Sequence, residues 1–300
     1  MMKKFLVCVL VSAIAGGAAF ADPIGLTVYL DGFSFGNVAG EDYKFAGEDG
    51  EAGFTVGAEY AKSFGAVEVS TALDFTLGFS DPLASELAWN VKGAYELGLT
   101  DALSLTFSLF NTLSLTGGPD EAGGDSTKGT FADADNDQIT DEIAPGIRFD
   151  QKLGFGTLYE IVEVGFYIHT QENRKLDIGS SSGEGFKIGV EDTGLGVYGY
   201  IQPELLFMYD GESPDDVLGA FNIGAGYAAG PLDVSVEFGI PTVKDGMKTG
   251  GLTITPNVTY SIIEDAFSAY LELEFSGIGA DKDVGGEFGF SPTIGLSYSF

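Results

Sequence analysis

Cysteine, histidine and positive charge are all scarce in this sequence. Its 300 residues include one cysteine, Cys8, so an internal disulfide is excluded. Only 14 lysines and arginines stand against 45 aspartates and glutamates, which gives a formal net charge of −31. A polyanion of this kind should not bind nucleic acid, because nucleic-acid phosphates are bound by cations. After Ala21 the sequence also has no apolar run long enough for a transmembrane helix.

The first 21 residues have the pattern of a signal peptide. Lys3 and Lys4 form a short positive region, residues 5–17 are apolar, and residues 19–21 read Ala-Phe-Ala. We therefore predict cleavage after Ala21, a mature chain beginning at Asp22, and export from the cytoplasm. Cys8 lies inside the apolar stretch without the pattern of a lipidation site, so it should be removed with the peptide. The mature chain would then contain no cysteine.

The remaining composition combines properties that conflict in a soluble protein. An acidic chain of this charge could be disordered, but disordered chains are poor in aromatic residues. This sequence has 24 Phe, 13 Tyr and 44% hydrophobic residues, together with 45 Gly. A transmembrane β-barrel resolves the conflict, since its apolar residues alternate toward lipid and its charges face the lumen and loops. The composition therefore favours an all-β membrane protein.

Period-two alternation supports this interpretation along most of the chain. In residues 67–79, apolar residues occupy the odd positions and small or acidic residues the even ones. Most such runs are longer than the strands of ordinary sheets and match the length of about 9–11 residues that a tilted strand needs to cross a bilayer. Fourteen segments fit: 24–36, 52–62, 65–79, 84–99, 101–116, 143–155, 157–170, 184–191, 194–209, 217–228, 231–240, 250–262, 266–276 and 286–300.

These segments predict a transmembrane antiparallel up-and-down β-barrel of about 14 strands, occupying residues 22–300. Segment 184–191 is short and rich in glycine, so a barrel of 12 strands stays open as an alternative. Short turns alternate with longer polar connections, of which 117–142 is the longest. This asymmetry is typical of barrels with short periplasmic turns and long outer loops. Four prolines within predicted strands should lie near strand ends or at local kinks: Pro145, Pro203, Pro256 and Pro292.

The end of the chain resembles the C-terminal strand of Gram-negative outer-membrane barrels. In "GLSYSF" the aromatic residues Tyr298 and Phe300 occupy the third-last and last positions. The resemblance implies an outer-membrane location, surrounding lipid as one partner, and recognition of Tyr298 and Phe300 by the barrel-assembly machinery. It also implies a porin-like function, although no specific porin family matches these residues.

If apolar residues face lipid, their neighbours along each strand face the lumen. The predicted lumen residues are mostly carboxylates: Glu59, Glu68, Asp74, Glu86, Lys92, Glu96, Glu163, Asp233, Glu237, Glu272 and Glu274. Small inward side chains leave room for water, and acidic ones attract cations. We therefore predict a channel for small hydrophilic solutes that prefers cations. The alternative is that the carboxylates are structural and paired, but Lys92 is the only basic residue in this set.

Loop 117–142 contains a possible calcium-binding motif. Asp133, Asp135, Asp137 and Asp141 follow a spacing similar to that of the calcium loops of EF-hand-like and thrombospondin type 3 repeats. Gln138 replaces the glycine of the sharp turn, and Ala144 stands where a bidentate glutamate belongs. A solvated acidic loop is the alternative. The sequence indicates no other cofactor.

Two other functional classes stay open. His169 could belong to a hydrolytic site, but no nucleophile motif accompanies it, so we expect no enzyme activity. A structural or adhesive barrel with a closed lumen is the main alternative to a channel, with Tyr29, Phe110, Tyr167 and Tyr270 as residues that could fill the interior. The sequence does not select an oligomeric state.

Overall fold

A computed structural model describes residues 26–35, 37–39, 42–44, 52–78, 85–117, 138–169, 176–208, 218–241, 251–263, 266–278 and 288–299. Its strands are β1 (Leu26–Phe35), β2 (Asn37–Ala39), β3 (Asp42–Lys44), β4 (Ala52–Phe64), β5 (Val67–Gly78), β6 (Ser85–Thr100), β7 (Leu103–Gly117), β8 (Gln138–Leu153), β9 (Gly156–His169), β10 (Leu176–Ser180), β11 (Phe186–Glu191), β12 (Val197–Met208), β13 (Leu218–Ala229), β14 (Leu232–Pro241), β15 (Leu252–Ile263), β16 (Phe267–Ile278) and β17 (Gly289–Ser299). None of the described residues forms a helix long and apolar enough to cross a membrane.

The long strands form one closed antiparallel barrel. Each pairs with its neighbours in chain order, and the first strand pairs with the last, so that Thr27 lies opposite Ser299 and Leu30 opposite Leu296. Strands β2 and β3 form a separate small hairpin. The sheet has fifteen strands, and because β10 and β11 share one position between β9 and β12, fourteen positions surround the lumen. This confirms the predicted up-and-down β-barrel and its strand count.

The divided strand is where the predicted segments differ most from the structure. The sequence predicts a strand over 184–191 that follows a loop, but strand structure already begins with β10 at Leu176. The strand is interrupted by residues 181–185 and resumes as β11. β8 also begins earlier than predicted, at Gln138, so residues 138–142 belong to the wall and not to the long loop. Near the starts of β8 and β10 the sequence is rich in aspartate and glycine, so the alternation of apolar and polar residues is too weak to show where these strands begin.

The outer surface of the barrel is apolar because alternate side chains point outward along every strand. Leu73, Trp89 and Leu109 are each at least 50% exposed, although large apolar side chains are normally buried in soluble proteins. The indole Nε1 of Trp89 donates a hydrogen bond to Thr71 Oγ1 on the neighbouring strand, at 2.9 Å. A surface of this kind is compatible with lipid, where each polar group needs a partner within the protein.

The described tight turns all lie at one end of the barrel, the end at which β1 begins and β17 ends. Gly65 and Gly230 lie in two of these turns with φ of 67° and 57°, a left-handed conformation that glycine adopts without steric cost. Ser299 donates its backbone N–H to Ala266 O in another of these turns. The longer connections join the strands at the other end, and apart from the β2–β3 hairpin most of their residues lie outside the described ranges. The predicted asymmetry between the two ends is therefore present in the described turns.

Two central prolines coincide with interruptions in strand pairing. Leu205 N–H points toward the divided strand and donates to Ser180 Oγ at 2.7 Å, instead of to a backbone carbonyl. Residues two apart on a strand direct their amides to the same side. The backbone nitrogen of Pro203 therefore faces the interruption in the divided strand. Because no backbone carbonyl of that strand is available there, the N–H that proline lacks costs no hydrogen bond of the sheet. Pro145 lies at a gap in the β8–β9 register, between Ile143 and Gly146.

Candidate functional site: the barrel lumen

The candidate site is the lumen, and the structure places the predicted polar residues around it. Glu59, Asp74, Glu86 and Lys92 line one cavity of about 500 Å³. Glu68 and Glu163 line an adjoining space of about 190 Å³ together with Lys92. On the remaining strands, Asp233 and Glu237 bond to inward tyrosines, whereas Glu272 lies opposite Asn257. Glu96 points to the same side of β6 as Lys92, and Glu274 points to the same side of β16 as Glu272, because residues an even number apart on a strand share a face.

Strands β4 to β7 present small polar side chains to the large cavity, and we call this face the open wall. Asn90 donates to Asp74 Oδ2 at 3.0 Å and accepts a hydrogen bond from Thr112 Oγ1 at 2.8 Å. Ser114 donates to Glu86 Oε1 at 3.2 Å. Ala72 and Ala88 lie between these groups. Asp74 and Glu86 on this wall thus each accept a hydrogen bond from a neutral side chain, which orients the carboxylate.

The interruption between β10 and β11 folds into the lumen, and we call residues 181–185 the inner turn. Its ends are bonded to one residue of β9: Ser181 donates its N–H to Glu163 O at 3.1 Å, and Glu163 donates its N–H to Gly185 O at 2.8 Å. Gly185 has a φ of 59°, which suits glycine. The β9 side of the ladder is therefore continuous, while the residues between Ser181 and Gly185 are free to project inward.

Two buried carboxylates, on β8 and β9, accept hydrogen bonds from the backbone of the inner turn. Glu163, only 1% exposed, accepts hydrogen bonds from the Glu184 N–H at 2.9 Å and from Ser108 Oγ at 3.2 Å. Glu142, 2% exposed, accepts from the Ser182 N–H at 3.0 Å and also from the Ser182 hydroxyl. Buried carboxylates are stable only with such donors. The turn therefore covers the inner face of β8 and β9.

Close packing under the inner turn explains several glycines. A Cβ on Gly146 or Gly183 would stand 2.9 Å or less from a Glu163 carboxylate oxygen. A Cβ on Gly165 would lie 2.7 Å from both Glu142 Oε1 and the ring of Tyr167. Real Cβ atoms essentially never approach other atoms so closely, so a side chain at these positions would push the carboxylates away from the turn.

Basic residues in the lumen form ion pairs with carboxylates. Lys92 Nζ lies 3.7 Å from Glu184 Oε1, and Lys187 Nζ lies 3.4 Å from Glu184 Oε2. Arg148 pairs with Asp150 at 2.8 Å and with Glu191. The expectation that Lys92 is the only inward basic residue was therefore wrong. Arg148 occupies the same inward-facing register as Glu142, a position that strict alternation along β8 would have identified.

Tyrosines on β9 and β12 lie flat against glycines of the neighbouring strands. Tyr198 lies opposite Gly226 and Tyr200 opposite Gly224, and a Cβ on either glycine would collide with the tyrosine ring. The hydroxyls reach the next strand: Tyr198 donates to Asp233 Oδ1 at 2.6 Å, and Tyr200 donates to Glu237. Each tyrosine therefore bridges three strands, with glycine in the middle.

Basic side chains cover two of these rings on the lumen side. The Arg148 guanidinium lies 4.6 Å from the ring centre of Tyr159, and Lys187 Nζ lies 4.8 Å from that of Tyr200. Tyr159 also packs over Gly189, which is paired with Tyr200 on its other side. Cation–π contact of this kind stabilises both partners. We call this braced face, on β8 to β14, the bridged wall.

Two of the four aromatic residues considered as a plug, Tyr167 and Tyr270, pack along the wall of the barrel. Tyr270 packs over Gly295 on the adjacent strand, and Tyr167 packs over Gly165 and donates to Ser180 O at 2.6 Å. Phe110 lines the large cavity beside Ser182. The side chain of Tyr29 lies outside the described residues. Tyr167 and Tyr270 therefore leave the lumen less obstructed than their size suggests.

The predicted calcium motif falls mostly on residues that the structure does not describe. Asp133, Asp135 and Asp137 lie outside the described residues. Asp141 lies within β8 and accepts a hydrogen bond from Asn111 Nδ2 at 2.7 Å. Within the described ranges, no group of three acidic, histidine or cysteine side chains is arranged to hold a metal ion. The calcium hypothesis stays a prediction.

Two other predicted features concern the ends of strands. Tyr298 is in β17, opposite Val28 of β1, and its ring lies 6.4 Å from that of Phe267. Phe300 and the signal segment 1–21 lie outside the described residues. His169 ends β9 and pairs with Thr140, and its side chain is likewise not described.

Sequence reasoning missed several lumen residues, which lie on β8, in the inner turn and on β11. They are Glu142, Arg148, Asp150, Glu184, Lys187 and Glu191. Glu142, Arg148 and Asp150 keep the parity of a single strand, so alternation could have found them. Glu184 could not be found in this way, because the inner turn does not follow the strand period.

No protein-family model and no curated protein matches this chain. Solved outer-membrane barrels share its architecture at low identity. The CymD monoaromatic hydrocarbon channel is 6% identical, with 93% of this chain and 89% of that chain covered and a TM-score of 0.49. The KdgM porin in complex with disordered oligogalacturonate is 9% identical, with coverages of 92% and 99% and a TM-score of 0.40.

The outer membrane phospholipase A from Escherichia coli is also similar in architecture. It is 12% identical, with 72% of this chain and 81% of that chain covered and a TM-score of 0.41. Likeness at these identities concerns the barrel alone and assigns neither solute nor activity. The architecture of this chain is that of a closed antiparallel β-barrel with an apolar outer surface.

Proposed function

We propose that this protein is an outer-membrane channel for the passive diffusion of small hydrophilic solutes, with a preference for cations. The signal pattern of residues 1–21 supports export into the periplasm, from which the barrel would insert into the outer membrane. The apolar exterior supports contact with lipid, and Tyr298 with Phe300 would be recognised by the assembly machinery.

The observation that carries the proposal is the excess of carboxylates around the large cavity of the lumen. This cavity of about 500 Å³ is lined by Glu59, Asp74 and Glu86, with Lys92 as the only basic residue among its described lining groups. Lys92 is itself paired with Glu184. A lumen lined by more carboxylates than basic residues concentrates cations and disfavours anions.

The test is a planar-bilayer recording of the refolded mature chain, residues 22–300, under a gradient of KCl. We expect stepwise current and a reversal potential displaced toward that of K⁺. A reversal potential displaced toward that of Cl⁻ would contradict the cation preference but leave the channel intact. Heat-modifiable migration on a gel would establish that the barrel is folded in the same preparation.

A closed barrel that acts through its loops is the second candidate function. The inner turn favours it, because residues 181–185 occupy space that the lumen would otherwise have. A folded barrel that carries no current in the recording above would support this candidate and refute the channel. We continue to expect no enzyme activity, and lipid hydrolysis that is lost in His169→Ala would contradict that expectation.

We also propose that the Asp133–Asp141 motif binds Ca²⁺ and thereby orders the long outer loop. The spacing of its aspartates supports the proposal. Calorimetry should detect Ca²⁺ binding that is weakened at least about tenfold in Asp135→Ala, since one carboxylate ligand is lost. Equal binding by the variant, or no binding by the natural chain, would refute it.

A further inference from the structure

Hydrogen bonds hold the inner turn on two sides. Its base is bonded to both backbone groups of Glu163, and its amides are bonded to two buried carboxylates. On its other side, Gln202 Nε2 of β12 donates to Glu184 O at 3.4 Å. An interruption of this kind costs ladder hydrogen bonds on β12, and these contacts hold the turn on the lumen side.

The tip of the inner turn brings three charges together in the lumen. Glu184 lies between Lys92 of β6 and Lys187 of β11, with one carboxylate oxygen facing each ammonium. Lys92 and Glu184 are 37% and 39% exposed, so both are accessible to solutes, whereas Lys187 is 19% exposed. Ser182, also in the turn, faces the large cavity beside Phe110. The turn therefore reaches from the bridged wall toward the open wall.

We infer that the inner turn is the selectivity constriction of the channel, with Glu184 as the residue that sets the sign of its charge. This inference rests on the proposed function. With Glu184 ionised, the two lysines are partly compensated and the wider carboxylate lining dominates. Without the Glu184 charge, Lys92 and Lys187 present two uncompensated cations where the inner turn narrows the lumen. Low-dielectric protein on both sides makes their field stronger than it would be in bulk water.

Glu163 is the positioning residue of this constriction. Its carboxylate lies under the turn and accepts the Glu184 N–H, so it fixes the backbone that carries the selectivity residue. Its side chain borders the smaller cavity but is only 1% exposed, so a passing solute contacts it far less than it contacts Glu184. Gly146 and Gly183 give it space, since a Cβ on either would contact its oxygens. Loss of this contact should therefore loosen the turn, while the exposed charges of the lumen change less than they do when Glu184 is substituted.

The experiment compares two substitutions that remove the same charge from the lumen. Glu184→Gln removes a carboxylate from the turn, and the control Glu96→Gln removes one from the same lumen near the tight-turn end. We expect Glu184→Gln to move the reversal potential toward Cl⁻ by at least about twice as much as the control, because it exposes two lysines. Lys92→Gln should move it in the opposite direction, toward K⁺.

Glu163→Gln keeps side-chain volume but weakens acceptance of the Glu184 N–H. We expect it to increase open-channel current fluctuations while moving the reversal potential less than Glu184→Gln does. Equal shifts in Glu184→Gln and Glu96→Gln, in a natural chain that conducts, would overturn the inference and leave the proposed function intact. A folded natural chain without current would instead overturn the proposed function, and the inference with it.

Discussion

The open wall and the bridged wall have the same strand geometry but carry different kinds of inward side chains. On the open wall, small side chains such as Ala88 and Ser114 leave a cavity, and neutral donors hold the carboxylates. On the bridged wall, tyrosines and basic residues fill the space next to the sheet and connect strands to one another. In the proposed channel, the open wall would provide the passage, and the bridged wall would provide rigidity and the constriction.

Alanine-to-phenylalanine substitutions should give the largest difference in stability between the two walls. Ala144 is fully buried under the inner turn, so Ala144→Phe should lower the free energy of unfolding by at least about 3 kcal/mol through overpacking. Ala88 faces the cavity, so Ala88→Phe should change that free energy by less than about 0.5 kcal/mol but reduce single-channel conductance. Urea unfolding in detergent micelles and bilayer recordings provide the two measurements.

The result that would contradict this pair is equal destabilisation by both substitutions. In that case the open wall would be packed as tightly as the bridged wall, and its cavity would not be a passage. Normal stability in Ala144→Phe would mean instead that the inner turn moves away from β8 at little cost.

Glycine-to-alanine substitutions should give the next largest difference. Gly226 lies beneath the ring of Tyr198, whereas a Cβ on Gly93 of β6 would meet nothing within 4 Å. Gly226→Ala should therefore displace Tyr198 from Asp233 and destabilise the barrel by about 1–3 kcal/mol. Gly93→Ala should be neutral or slightly stabilising, since alanine restricts the unfolded chain. Comparable urea midpoints for the two variants would argue against glycine-dependent bracing of the bridged wall.

The same contrast explains how much of the molecule the sequence predicts. Alternation depends only on which residues face lipid, so strands such as β5 and β6 could be located with small errors at their ends. The acidic residues of the open wall could be found in the same way, because they keep strand parity. Arg148 follows the same rule and lies inside the predicted segment 143–155, so its inward charge was equally predictable.

The inner turn lies outside what alternation can predict. Glu184 belongs to a serine- and glycine-rich stretch whose direction is decided by partners on other strands, including Glu142, Glu163 and Lys92. Such contacts join residues that are far apart in sequence, so no local pattern encodes them. The glycines beneath the tyrosines are similar: their number was evident in the composition, but their pairing with rings depends on register between strands.

Charge removal on the open wall should have the smallest of these effects, and its salt dependence is the informative part. Asp74 lines the cavity and accepts a hydrogen bond from Asn90, so Asp74→Asn keeps its shape while removing one of several carboxylates. At about 0.1 M salt, where charges act over about 10 Å, we expect a small loss of cation preference. At about 1 M that range falls to about 3 Å, and the difference from the natural chain should vanish. Reversal potentials at both concentrations test this, and an effect that persists at high salt would mean that Asp74 binds the permeating cation directly.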